Sequence, residues 1–332
     1  MAIKIEKDSK LIKVLADQAR GERVDSANAE EAAQIISELA QDLTPDNRHQ
    51  IAQTIGFTVQ ELQQKSLNFL DLIADQKNVG YKENAAFNVK TRGIKAYWQA
   101  KGSTTARSYV AGKQILVETD EISARPAINI VDLRSGRVNM ADLIRQANQE
   151  MTNKKLMKVE AALHAAVQNY STPFYGTGTG IDKTVLDAEL NYFRRLGPVT
   201  ILGDIAAVGQ MASLVGMQMD GNGTYMSRSG DALNEYNNNG YIGKYLGANV
   251  ISMDNTYEAG QTTPILSPDW LYIIPGNVQG DYRNLKIVNE GAINAVEAQD
   301  INDMVFEVRL DQWFGAAFVA GETPTIGAYL IG

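Results

Sequence analysis

The longest helical signal in the chain is the strongest constraint on its fold. Met140, Leu143, Ile144, Ala147 and Met151 share one helical face. Leu156, Val159, Leu163, Val167 and Tyr170 continue that stripe after one phase slip. Asn139 stands at the N-cap position with Asp142 three residues on, and Pro173 closes the run. A helix of about 30 residues spans about 45 Å. That is well above the usual length of ~11 residues.

The elements around it are shorter. Up to residue 80 the pattern predicts short helices. Asn28 and Glu31 form a capping box ahead of Ala32, Ile35, Ile36, Leu39 and Leu43. Thr44-Pro45 is an N-cap followed by proline at the first helical position, and Gly56 is read as the stop of that helix. Thr58 and Glu61 form a second box leading into Leu62, Phe69, Leu70 and Ile73. With few aromatic residues, these helices make no strong core alone. Beyond the long helix, GTGTG (Gly176 to Gly180) reads as a flexible connector, and Asp182 caps a helix carrying Val185, Leu186, Leu190 and Phe193. Gly197-Pro198 ends that helix. Val199–Leu202 is a strand, Ile205–Val215 a helix and 216–240 a loop; Asn249–Met253 and Trp270–Ile274 are buried strands. The order predicts a mixed α/β core. Near the C-terminus Met304, Phe306, Val308 and Leu310 point one way and Glu307, Arg309 and Asp311 the other, as in a half-buried antiparallel strand. Phe314–Val319 follows as a second strand.

Composition narrows the chemistry. The chain has no cysteine, which removes disulfides, thiolate metal sites and cysteine nucleophiles and fits assembly in a reducing compartment. Its two histidines, His49 and His164, lie far apart in sequence and are placed on helix surfaces. No apolar run reaches the ~18 residues of a membrane span, and the charge-alternating start MAIKIEKDSKLIKVLADQ is not a secretory signal. Glu150 and Glu160 fall on the long helix, where a solvated face explains them. No catalytic, cofactor-binding or metal-ligating residue is assigned, and no enzyme activity or cofactor is expected.

Charge is segregated. Residues 84–117 hold six Lys or Arg and no Asp or Glu, net +6, between flanks of net -4 and -10 in a chain of net -8. The segment is rich in β-branched, aromatic and glycine residues. It predicts a hairpin with arms near Phe87–Tyr97 and Tyr109–Val117, a turn near Lys101-Gly102-Ser103-Thr104, and bulges at Gly93 and Gly112. Arms of about 10 residues reach roughly 35 Å. A lone hairpin is marginal in water, so Tyr97, Trp98 and Tyr109 need an external surface. The acidic remainder of another copy supplies one, and many weak ion pairs repeated around a closed ring become significant together. The contact residues predicted on this ground are Lys90, Arg92, Lys95, Tyr97, Trp98, Lys101, Arg107, Tyr109 and Lys113.

Two motifs invite other readings. GTGTGIDKT lacks the Gly immediately before Lys that a phosphate loop needs, and Asp182 there repels phosphate. His49–Leu67 has helix-turn-helix spacing about Ala52 and Gly56. Its reading helix, however, offers Gln60, Glu61, Gln63, Gln64 and Lys65 in an acidic region, where a DNA reader brings Lys and Arg.

The order of a helical N-terminal region, basic hairpin, long helix, mixed core with GYIGKYLGANVISMDN (Gly240–Asn255) and returning strands from Ile301 to Val319 resembles the tailed-bacteriophage major capsid proteins of the HK-ninety-seven type, a fold shared with encapsulins. The resemblance covers about residues 80–332. It implies an α+β fold: an N-terminal helical arm (1–82), an extended E-loop hairpin (83–120), a peripheral domain with a spine helix (121–180), an axial domain with a mixed sheet (181–295) and strands returning to the peripheral domain (296–332). It implies a shell protein of the virion that forms hexamers and pentamers with itself, works with portal and scaffolding proteins, assembles in the host cytoplasm, and encloses double-stranded DNA without sequence-specific or membrane binding. Some members crosslink an E-loop lysine to a neighbour's asparagine. Lys95, Lys101 or Lys113 with Asn294 or Asn302 are the candidates, but no matching Asn-Glu arrangement is found and no crosslink is expected. The alternatives are an encapsulin-like compartment and, less favoured, a helix-turn-helix DNA-binding protein.

Overall fold

The computed structural model describes residues 10–83, 85–90, 112–135, 139–168, 170–171, 173–211, 214, 217–219, 225–227, 234, 237–253, 255–257, 260–276, 283–300, 304–319 and 325–332. The chain opens with α1 (Lys10–Ala19), α2 (Ser26–Gln41), α3 (Pro45–Ser66) and α4 (Leu70–Ile73). Strands β1 (Ala74–Val79), β2 (Ala86–Lys90), β3 (Gly112–Leu116), β4 (Asp120–Ala124) and β5 (Ala127–Asn129) follow. Helices α5 (Ile130–Arg134) and α6 (Met140–Val167) precede β6 (Tyr175–Gly178), α7 (Lys183–Arg194), β7 (Val199–Asp204) and α8 (Ile205–Gln210). The rest is β8 (Met217–Met219), β9 (Tyr225–Ser227), β10 (Lys244–Tyr245), β11 (Ala248–Met253), β12 (Trp270–Pro275), β13 (Leu285–Asp300), β14 (Val305–Phe318) and β15 (Gly327–Ile331).

The chain forms two compact units: residues 1–71, 119–158 and 289–314, and residues 72–118, 159–288 and 315–332. In the first, Leu11 and Leu15 of α1, Ile36 and Leu39 of α2, and Ile51, Ile55, Val59 and Leu62 of α3 share one core. Ile144 and Met151 of α6 and Phe306, Val308 and Leu310 of β14 belong to the same core. The N-terminal helices, too thin to make a core alone, thus pack into one that later chain segments complete. Thr44 caps α3 as expected, accepting from the Asn47 N–H at 3.3 Å, with Pro45 next. The α2 cap differs: it is Asp25, which accepts from the Ala27 N–H, three residues before the expected Asn28.

Gly56 does not end a helix. It lies inside the 22-residue α3, where a Cβ would stand 3.1 Å from the Ala295 Cβ. Its missing side chain admits the strand rather than a turn. Thr58 opens no second helix; its hydroxyl donates to the Thr54 carbonyl at 2.7 Å in mid-helix. The helix-turn-helix reading of His49–Leu67 is therefore corrected, since α3 is continuous where the turn was placed.

Helix α6 has 28 residues, about 42 Å. Asn139 caps it, accepting from the Ala141 N–H at 3.1 Å. Met140, Ile144, Ala147, Met151, Leu156, Val159, Leu163 and Val167 are buried as the stripe predicts. So are three polar residues at the phase slip: Thr152, Asn153 and Lys155. Lys155 is 2% exposed, donates to Gln63 Oε1 of α3 at 2.8 Å and lies 5.3 Å from the Phe314 ring centroid. Burial pushes its ammonium down to about 7.

The second unit is built on a sheet in the order β10-β11-β7-β12-β15-β6. Strand β11 runs parallel to β7, β12 antiparallel to β7 and β15, and β6 parallel to β15. Helix α7, capped by Asp182, buries Leu186, Leu190 and Phe193 with Ile201, Leu271, Ile273 and Tyr329 of the sheet. The GTGTG run is corrected from connector to strand: β6 lies against β15, and a Cβ at Gly178 would stand 2.6 Å from the Tyr329 hydroxyl. Glu160 is not explained by a solvated face; it accepts from the Ser267 N–H at 3.0 Å, and burial raises its carboxyl. His164 meets the Trp270 ring edge-on at 4.8 Å.

Near the C-terminus the two expected strands are one, β14, of 14 residues. Met304 precedes it with φ 52 and is exposed, not aligned with Phe306. The sheet β1-β13-β14-β4, with β5 also on β14, includes four strands that the pattern leaves unread: β1, β4, β5 and β13. The loop 216–240 contains the hairpin β8–β9.

Two outcomes test these contacts. Gly56→Leu removes a poor helix former yet should destabilise the protein by about 1–3 kcal/mol, because the side chain has no room beside Ala295; a urea melt reads this. For Lys155, an unfolded chain keeps its proton up to about pH 10.4, whereas the folded group loses it near 7. The unfolded state therefore binds more protons between those values, and stability rises with pH from about 7 to about 10. In thermal melts Lys155→Met should abolish that rise and melt higher near pH 7, on the order of 5 °C.

Candidate assembly interface

The basic segment is anchored by its two ends. Strands β2 and β3 pair antiparallel without interruption from Ala86↔Leu116 to Lys90↔Gly112. Gly112 is thus a paired strand residue, not the expected bulge. Of the predicted contact residues, Lys90 lies opposite Gly112 and Lys113 opposite Val89. Arg92, Lys95, Tyr97, Trp98, Lys101, Arg107 and Tyr109 lie outside the described residues, as do Gly93 and the expected turn.

The foot of the hairpin has a small core of its own. Ala85, Phe87 and Val117 pack with Val288, flanked by Val79 and Ala317. Phe87 is 1% exposed and two ammonium groups lie over its ring, Lys77 Nζ 4.6 Å and Lys286 Nζ 5.2 Å from the centroid. Desolvated cation–π contacts are worth up to about 2 kcal/mol each. Lys77 also donates to the Ala86 carbonyl at 2.5 Å, and Lys286, itself buried, pairs with Asp75 at 2.8 Å. Strand β1, which supplies Asp75, Lys77 and Val79, is a contributor that the sequence pattern did not reveal; its alternation ADQKNV is too polar to read as a strand. On the other side of the hairpin foot, Leu116 is 59% exposed, and Tyr81 in the preceding turn is 58% exposed.

The first unit carries an open groove of about 660 Å³. One wall is the segment 124–127; the other is the α6 face of Asn139, Asp142, Leu143, Gln146, Ala147 and Glu150. The helix wall carries Asp142, which pairs with Arg145 at 3.3 Å, and Glu150; the facing wall carries Arg125. In the second unit, Lys183 of the former phosphate-loop reading bonds Asp187 at 2.5 Å, and the Tyr245 hydroxyl donates to Asp187 at 2.6 Å. The lysine is engaged by its own unit. Among the described residues no group of three His, Cys, Asp or Glu is placed to hold a metal ion, and no helix is long and apolar enough to cross a membrane.

Comparison with known proteins places this geometry. Residues 3–329 match the family described as SPbeta prophage-derived putative capsid protein YonB. No curated protein matches. The fold is similar to the capsid of an empty GTA particle, with 12% identity over 80% of this chain and 90% of the other and a TM-score of 0.52. It is similar to a Mycobacterium phage Bobi structure at 11% identity, over 79% and 89%, with a TM-score of 0.51. A Mycobacterium phage Cain structure matches at 14% identity, over 78% and 87%, with a TM-score of 0.50. The α+β fold expected from the order of elements is that of the phage capsids, and the family match spans nearly the whole chain. The chain therefore belongs to the YonB family of phage capsid proteins and is a shell-forming protein of the virion.

Proposed function

We propose that the basic hairpin is the clamp by which each subunit grips a neighbour in an icosahedral shell enclosing double-stranded DNA. The observation that carries this reading is a foot fixed by Phe87, Lys77 and Lys286 beneath a segment of net +6 in an otherwise acidic chain. The groove with Asp142 and Glu150 on its helix wall suits the basic residues as a receptor on the next copy. In this reading subunits form hexamers and pentamers through 181–295, the axial part, while 121–180 and 296–332 serve the periphery. The acidic remainder keeps packed DNA from adhering to the wall, since like charges repel. The role is structural rather than catalytic, with portal and scaffolding proteins as partners and the host cytoplasm as the place of assembly. Nucleic acid within isolated particles separates this reading from an encapsulin-like compartment, which would hold protein cargo.

Reversing Arg92, Lys95 and Arg107 to Glu should leave the thermal melt unchanged and abolish particles in negative-stain images; normal shells from that triple variant sink the clamp. Phe87→Ala should cost about 3–5 kcal/mol in the second unit and lower particle yield. No covalent link is proposed between Lys95, Lys101 or Lys113 and Asn294 or Asn302. Assembled shells should run as a single monomer band on SDS gels, and a ladder of covalent oligomers contradicts this.

A further inference from the structure

The glycine strand β6 lies over a carboxyl that no described residue bonds. Glu189 of α7 is 1% exposed, and among the described residues neither of its oxygens has a hydrogen-bond partner. A Cβ at Gly176 would stand 2.8 Å from Glu189 Oε1 and 2.7 Å from Tyr329 Cδ2. Glycine at 176 is thus what allows the strand to close over this group. Strand β6 is the edge of its sheet, held on one side by β15.

Among the described residues none brings a compensating charge to Glu189. From β15 comes Tyr329, whose hydroxyl donates to the Gly180 carbonyl at 3.0 Å and accepts from the Asp182 N–H at 2.8 Å. From β6 the residues on this side are Gly176 and Gly178, while Tyr175, on the other face of the strand, packs against Trp270. Strands β7 and β12 bring Val199, Ile201, Leu271 and Ile273 to this core. On α7 itself Lys183 and Asp187 are bound to each other and to Tyr245 of β10, Tyr192 packs against Phe174, and Arg194 approaches Gly247. An ionised carboxylate without partners in such a site is strongly disfavoured, so the group takes up a proton instead.

We propose that Glu189 and the glycine strand β6 form a proton-operated latch, in which neutral Glu189 lets β6 close over α7 and loss of its proton to solvent releases the strand. This goes beyond the clamp and does not depend on it. Burial holds the closed-state carboxyl up to about 8, whereas in the released strand it returns to about 4.3. The closed state therefore binds the extra proton between those values. The latch weakens as pH rises from about 4.5 to about 8 and changes no further above.

Amide hydrogen exchange of the full chain across pH 5 to 9 tests this. After correction for intrinsic exchange, opening of the peptide over Tyr175–Gly178 should rise about tenfold per pH unit up to about pH 8 and then level off. Peptides over β7 and β11 should open far less at every pH, because they open only when the whole unit unfolds. Glu189→Gln and Glu189→Met should flatten the β6 profile. A flat wild-type profile, a slope retained in both variants, or opening of β6 no greater than that of β7 and β11 overturns the latch. Should both variants fail to fold, the wild-type contrast between β6 and the two inner strands decides.

Discussion

The apolar stripe of α6 is the constraint on which both units depend. Its residues through Met151 belong to the core of the first unit, and Val159, Leu163 and Val167 lie in the second. From Met151 to Leu156 is five residues, which at about 100° per residue turns the helix some 140° past a full revolution. The stripe therefore changes face. Residues between the two faces are covered whatever their chemistry, which is why Thr152 and Lys155 are buried. A phase slip legible in the sequence thus accounts for the buried lysine of this helix.

The hairpin foot works by a different balance. Lys77 and Lys286 use the Phe87 ring together. Two ammonium groups near one ring repel each other unless an anion intervenes, and Asp75 supplies it at 2.8 Å from Lys286. At the foot positive charge is spent locally on a ring and a carboxylate. The six basic residues of 84–117 have no acidic residue within that segment.

What was legible follows from local physics. The caps Thr44, Asn139 and Asp182, the stripe of α6, the strands β7, β11 and β12 and the foot of the hairpin were all visible, because each is set by residues close in sequence. Two of the errors at glycines have a distant cause. Gly56 looks like a helix stop until Ala295, 239 residues away in the chain, is placed beside it. Gly176 and Gly178 look like a linker until Tyr329 and Glu189 are placed there. Strand β13 hid because Gly291, with φ +70, interrupts it and GAINAVEAQD has the alanine content of a helix. The α3 misreading had a consequence for function: a glycine taken for a turn created a helix-turn-helix that the fold does not contain.

The two buried ionisable groups bear on how evenly this fold is stabilised. Replacing a buried charge by an apolar residue of similar size is often neutral or stabilising, so Lys155 and Glu189 are not explained by stability. Their signs oppose. Lys155 is held down to about 7 and Glu189 up to about 8. Acid protonates Glu189 in the unfolded chain as well and so removes its cost, while Lys155 stays charged in its site; alkali neutralises Lys155 in the unfolded chain as well and leaves the cost of Glu189 in place. Neutral pH is therefore the range in which both groups weigh against folding at once, the lysine in the first unit and the carboxyl in the second. A shift of pH in either direction relieves the cost of one group and not of the other.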